Sequence, residues 1–306
     1  MHILLIFLDG IGLGDGDAVV NPFAAAHLPT LHTLSNGQRW LRATGRQESA
    51  RALFVPTDPR LGVPGRPQSG TSQAAILTGL NVPQLVGEHY GPKPNEATRQ
   101  LLARQNFFKE LVAHGKKAAI INAYPPHLLR EIERGKRLPT SIQQALLEAG
   151  LPLFAQDSLY RGDALSEDWT GRGWRSHLGF TDTPVYTPYE AGVRMVELTR
   201  RYDFAFFSHW ITDTIGHRGT LQEAVSLLEL FDGVMQGALA AWQDDEGLMI
   251  ITSDHGNMEA MDSRKHTEND VPTVIIGEKR HEFAEGLTDL TGLVPRMRKL
   301  LLPDAA

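Results

Sequence analysis

The 306-residue chain contains no cysteine. That absence excludes disulfides, thiolate metal sites and a cysteine nucleophile together. Any metal ion has to be held by oxygen and imidazole nitrogen. The opening "HILLIFLDG" is too short to cross a bilayer and has neither a basic flank nor a small-residue cleavage site, so it reads as a first strand. No membrane partner is expected, and the cytoplasm is the expected compartment. Also lacking is any basic stretch with interleaved aromatics, and the formal net charge is −6. Nucleic acid is therefore not an expected partner.

What is present is globular, with 42% hydrophobic and 22% charged residues and enough length for one large domain or a core with a smaller insertion. Short apolar runs at 3–8, 118–121, 204–207, 248–252 and 273–276 have the character of strands buried on both faces. Helical patterns lie between them at 72–80, 95–112, 141–149, 191–201, 221–242 and 293–302. The alternation predicts an α/β fold whose sheet is mostly parallel, with helices on both faces. From about 90 to 189 the chain turns rich in Pro, Gly, Trp and Arg, as in "YRGDALSEDWTGRGWRSH". Residues 91–189 are expected to form a smaller inserted cap, and residues 1–90 and 190–306 the core.

Ligands of open α/β sheets bind outside the carboxyl ends of strands. The first run ends in Asp9-Gly10. The 204–207 run leads into "SHWITDTIGHRG", with Asp213 and His217 four residues apart, a spacing that puts both on one face of a helical turn. The 248–252 run ends in Asp254-His255, and "KHTENDVP", with His266, precedes the last run. Two divalent ions about 4 Å apart each need several ligands; carboxylates balance their charge and neutral imidazoles complete the shell. Alone, each of these residues reads as a turn or a solvated helix face. His209 reads as a polar contact. In "PQSGTSQAAILTG", Ser69 alone reads as a helix N-cap, but the same geometry aims backbone N–H groups at an anion. Coordination to a metal would make its hydroxyl nucleophilic. Thr71 is the fallback nucleophile.

Taken together, "FLDG", Ser69 ten residues before Gly79, "DTIGH", "SDHGNME" and "HTENDVP" resemble the alkaline phosphatase superfamily. The nearest branch is that of cofactor-independent phosphoglycerate mutase and its metalloenzyme relatives. The resemblance covers roughly residues 1–90 and 200–280 and implies an alkaline-phosphatase-like core. It implies one ion held by Asp9, Ser69, Asp254 and His255, and a second held by Asp213, His217 and His266. Mn²⁺ is favoured and Zn²⁺ possible. The mutases' long insertion with its D-G-R-D segment has no counterpart; "YRGDAL" is not a match. Nor is the phosphopentomutase "TGHWE" pattern or the sulfatase nucleophile motif present.

The expectation is a two-metal phosphoryl-transfer enzyme working through a phosphoserine, foremost a phosphomonoester hydrolase on a small phosphorylated metabolite. A phosphomutase or phosphodiesterase on the same core is the alternative, and a metal-binding protein without catalysis is the alternative of another class. Arg130, Arg161, Arg172, Arg175 and Lys93 are candidates for gripping the substrate. A dinucleotide-binding fold, prompted by "LDGIGLGDGD", fails because position 15 is Asp and no acid lies between Asp17 and Glu48 to hold a ribose.

Overall fold

The computed structural model describes residues 1–303. Its seven strands are β1 (His2–Leu8), β2 (Gln47–Glu48), β3 (Ala52–Thr57), β4 (Ala118–Ile120), β5 (Phe204–His209), β6 (Gly247–Thr252) and β7 (Val271–Ile276). They form one sheet in the order β2-β3-β7-β6-β1-β5-β4. β1 lies between β5 and β6 and is parallel to both, and β4 is parallel to β5. β7 runs antiparallel to β6 and to β3, and β2 antiparallel to β3. The sheet is thus mixed rather than mostly parallel.

Why the central strands are apolar throughout is visible in the layers. Ile3, Leu5 and Phe7 join Phe204 and Phe206 in one core, and Leu4, Ile6 and Leu8 join Ala205 and Phe207 in the other. Successive side chains of a strand point to opposite faces, so a sheet covered on both sides needs apolar residues at every position. The helices Ser69–Thr78, Ser141–Glu148 and Leu293–Leu301 close the first face. Helices Pro188–Thr199 and Leu221–Ala241 close the second. This last pair approaches closely: a Cβ on Gly192 would lie 1.9 Å from the Val234 carbonyl, and one on Gly237 1.9 Å from the Tyr189 carbonyl. Only glycine fits there.

The expected cap over 91–189 is not a separate body. β4 falls inside that range yet pairs with β5, and Phe107, Phe108, Leu111, Ile142 and Leu146 belong to the first core. A small satellite cluster of Ala123, Leu159, Ala164 and Trp174 is the one apolar centre confined to the segment among the described residues.

Candidate metal centre and nucleophile

The ends of the central strands bring the candidate ligands to one place. Asp9 follows β1 directly. Gly10 then turns with φ 71°, and a Cβ there would sit 2.7 Å from Asp213 Oδ1, so the turn admits glycine alone. Helix Ile211–Arg218, after β5, carries Asp213 and His217, whose Nε2 is 3.4 Å from Asp213 Oδ2. Asp254 and His255 follow β6 and are fully buried. His266 reaches the site from the other direction. Because β7 is reversed, the segment entering it lies at the sheet edge where β1, β5 and β6 leave.

The imidazoles are set for coordination. His217 Nδ1 donates to Arg264 O (3.0 Å) and His266 Nδ1 to Pro67 O (2.8 Å). With each proton committed to a carbonyl, both Nε2 atoms carry lone pairs, yet they lie 3.1 Å apart. Asp213 Oδ1 is 3.7 Å from the second of them. Lone pairs and a carboxylate converging in this way call for a cation between them. Behind these, the His255 ring stacks on His266 at 3.7 Å. His255 Nε2 faces Ser69 Oγ at 2.9 Å, Asp9 Oδ1 at 3.4 Å and Asp254 Oδ2 at 3.6 Å. Asp9 Oδ1 is buried without a hydrogen-bond partner. An all-oxygen and imidazole set with an orphaned carboxylate oxygen fits divalent ions.

The donor atoms form two groups, Asp213/His217/His266 and Asp9/Asp213/His255. Asp213 is common to both, where the resemblance assigned it to one ion only. Burial and the neighbouring charges of Asp254 and Asp213 push the Asp9 carboxyl well above its ordinary range. Burial and the Asp213 charge raise Asp254 to about 7. Burial, then the adjacent His266, lowers His255 to about 3, which keeps its imidazole neutral.

Three residues that hold the ligands escape the sequence reading. Gln73 stands one helical turn after Ser69 and donates to Asp9 Oδ2 (3.2 Å) and Asp254 Oδ2 (3.3 Å). Asn257 donates to Asp213 Oδ1 at 2.6 Å. The buried Glu259 accepts from Gly12 N (3.0 Å), Asn257 N (2.7 Å) and Asn269 Nδ2 (2.9 Å), and also from the Thr267 hydroxyl. It thereby ties the loops after β1 and β6 to the one before β7. The i, i+4 spacing of Ser69 and Gln73 was the available signal for the first. Asn257 and Glu259 lie in the "NME" that closes "SDHGNME".

Ser69 opens the helix Ser69–Thr78, and its side chain lines a cavity of about 340 Å³ with Asp9, Gln73 and Asp213. Gly70 lets the next segment cross closely, since a Cβ there would meet Tyr90 O at 2.5 Å and Lys93 O at 2.7 Å. Lys93 lines the same cavity. Burial and neighbouring Arg137 lower its amine to about 8, against the pull of Asp9. Thr71 does not line the cavity; it is buried, with its hydroxyl accepting from Tyr90 N at 3.1 Å.

The four candidate arginines are absent from this cavity, which corrects that expectation. Arg161 pairs on the surface with Asp157 (2.8 Å) and Asp163 (3.0 Å). Arg175 donates to Thr183 O at 2.7 Å. Arg130 is exposed, and Arg172 lines a neighbouring cavity instead. Their order in the sequence gave no means of seeing which arginine turns inward. The one that does is Arg137, in "ERGKR". His209 is a buried contact: its ring stacks on Trp169 at 3.8 Å and its Nδ1 donates to Glu167 O.

Fold and site together define an α/β protein with His/Asp groups suited to divalent metal ions. Comparison with known proteins gives partial similarities. Residues 184–297 match the model of the metalloenzyme superfamily. The chain is 31% identical over 127 residues to the 2,3-bisphosphoglycerate-independent phosphoglycerate mutase of Methylobacillus flagellatus, a match covering 39% of this chain and 25% of that one. To the enzyme of the same description from Vibrio atlanticus it is 33% identical over 107 residues, 33% of this chain and 21% of that one. The matched region therefore spans a quarter or less of these curated relatives. Among solved structures, the PH0037 protein from Pyrococcus horikoshii aligns at a TM-score of 0.56 and 16% identity, covering 98% of this chain and 96% of that one. Phosphoglycerate mutase from Leishmania mexicana aligns at 0.50 and 12% identity, covering 98% and 95%. These two likenesses concern the fold. Over part of its length the chain is thus similar to the metalloenzyme superfamily and distantly similar to the cofactor-independent phosphoglycerate mutases.

Proposed function

We propose that this protein is a phosphoryl-transfer enzyme that works through a phosphoserine at Ser69, and that its reaction is hydrolysis of a small phosphate monoester in the cytoplasm. The observation that carries the proposal is the Ser69 hydroxyl, at a helix N-terminus, inside a cavity and 2.9 Å from His255 in the ligand cluster. Ser69 Oγ gives its proton to solvent and bonds to phosphorus as the ester oxygen leaves and takes up a proton from solvent; a water oxygen then bonds to phosphorus, the Oγ–P bond breaks, and Ser69 regains a proton as inorganic phosphate departs. Divalent ions held by Asp9, Ser69, Asp254 and His255 and by Asp213, His217 and His266, Mn²⁺ favoured over Zn²⁺, would supply the Lewis acidity that activates the serine and neutralises the phosphoryl oxygens.

The chain's own residues do the rest. Gln73 keeps the Asp9 and Asp254 carboxylates in place. Lys93 adds a positive charge next to Asp9, where phosphoryl oxygens arrive. The segment 124–178 supplies one wall of the cavity and with it the choice of substrate. The similarity to phosphoglycerate mutases favours a second reading, transfer to a substrate hydroxyl instead of water. A phosphodiesterase or a metal-binding protein without turnover would use the same residues. The test is release of inorganic phosphate by Mn²⁺-loaded protein across a panel of phosphate monoesters, with Ser69→Ala alongside. Serine-dependent release is the expected result; its absence for every ester, with isomerised products, would turn the assignment to a mutase.

A further inference from the structure

The cavity that holds Ser69 has a second charged wall, separate from the metal ligands. Lys93 is set among Asp9 and Arg137, whereas Glu167, which also lines the cavity, has Asp168 as its charged neighbour. Glu167 belongs to the stretch "SEDWTGRG", a loop held by its own hydrogen bonds and by a buried tryptophan. Asp168 accepts from Gly171 N (2.9 Å) and Gly173 N (2.7 Å), and the Ser166 hydroxyl accepts from Gly171 N at 3.0 Å. Trp169 adopts a left-handed backbone with φ 59°, a conformation that bulky residues keep only when their surroundings impose it. Its ring is clamped against His209, Phe207 and Phe231. His209 in turn donates to the Glu167 carbonyl at 2.6 Å.

The residue that this loop turns toward the reaction cavity is Glu167. The side chain is part-buried; the Trp174 indole stands near it, but Oε2 is sealed from solvent and makes no well-formed hydrogen bond. Beside it the Tyr124 and Trp210 rings, stacked at 6.2 Å and 5° apart in plane, form an aromatic wall of the same cavity. A carboxyl group fixed by a strained loop, next to aromatic faces, is arranged to accept a hydrogen bond from a guest.

We propose that Glu167 is a specificity-determining residue that receives a hydrogen-bond-donating substituent, an ammonium or a hydroxyl, on the alcohol half of the phosphate ester. The inference rests on the phosphoryl-binding reading of the Ser69 site. The aromatic wall favours the ammonium.

The test needs no turnover. Propylphosphonate, 3-hydroxypropylphosphonate and 3-aminopropylphosphonate are titrated calorimetrically into the Mn²⁺-loaded wild type and Glu167→Gln. A hydrogen bond to a charged group predicts that a donor-bearing phosphonate binds the wild type about tenfold or more tightly than propylphosphonate. Glu167→Gln, which keeps the shape, brings the amine down to the affinity of propylphosphonate and leaves propylphosphonate itself unchanged. Preference for the amine identifies an ammonium, and preference for the hydroxyl alone identifies an alcohol. Equal binding of all three to the wild type, or a preference that survives in Glu167→Gln, overturns the proposal while leaving the phosphoryl site intact. If no phosphonate binds, the phosphoryl reading falls and this one with it. Melting curves check that the variant is folded; if it is not, the wild-type ranking alone decides.

Discussion

Replacing Asp254 by asparagine should stabilise the metal-free protein while abolishing the proposed metal binding. Asp254 is fully buried, 3.6 Å from His255 Nε2, and shares its surroundings with Asp9 and Asp213. Burial and the Asp213 charge move its carboxyl from the ordinary 3.8 to about 7. Each pH unit of displacement corresponds to about 1.4 kcal/mol, so ionising this group in the metal-free fold costs about 4 kcal/mol. The direction follows from linkage. The fold holds this proton more tightly than the unfolded chain does, so the contribution is fully present below pH 3.8 and is lost as pH rises through about 7. The substituted amide never ionises. In EDTA, the stability of Asp254→Asn relative to wild type should therefore grow with pH, from its acid value to about 4 kcal/mol more by pH 8, as read from urea unfolding. With Mn²⁺ the sign reverses, because binding needs the ionised carboxylate, and only the wild type gains stability. A wild-type-to-variant difference that stays constant between pH 4 and pH 8 would refute the account of Asp254 as a carboxyl raised by burial and by the Asp213 charge.

Other outcomes can be checked independently. Ser69→Ala should abolish phosphate release without lowering the melting temperature, whereas Thr71→Ala should retain turnover and lose about 1 kcal/mol with its hydrogen bond to Tyr90; a dead Thr71→Ala would move the nucleophile. Inorganic phosphate, as a product inhibitor, should bind more weakly as pH passes about 8 and the Lys93 amine loses its proton, and Lys93→Gln should flatten that limb of the inhibition profile. Gly192→Ala should lower the urea midpoint by the equivalent of about 1–3 kcal/mol, since its methyl group would meet the Val234 carbonyl; an unchanged midpoint would mean the two helices are not so close.

Much of the molecule was legible in the chain itself. β1, β5 and β6 announce themselves because a strand covered on both faces has no polar positions to interrupt it. Asp9, Asp213, His217, Asp254, His255 and His266 converge because each stands where a strand leaves, or in one case enters, the same edge. β3 escaped notice for a physical reason. Its Pro56 argues against a strand, yet it stands opposite Pro272 in β7, past the residues that pair with β2 and β6, where neither nitrogen is needed as a donor. The reversal of β7 was equally hidden, because period and composition carry no strand direction. The cavity wall was unreadable for a different reason. Whether Arg130, Arg137 or Arg161 turns inward depends on the packing of a segment with little periodicity of its own.

The reversal of β7 also divides the centre by the difficulty of assembling it. Thr252 and Thr273, which face each other across β6 and β7, are 21 residues apart in the chain, whereas Gly10 and Asp254 are separated by 244. Closing the longer loop costs about 2 kcal/mol more in chain entropy. Asp254, His255 and His266 thus lie on one local, low-contact-order unit that fast-forming contacts can organise, and Asp9 and Ser69 are the candidate ligands whose arrival waits on distant segments of the chain finding each other.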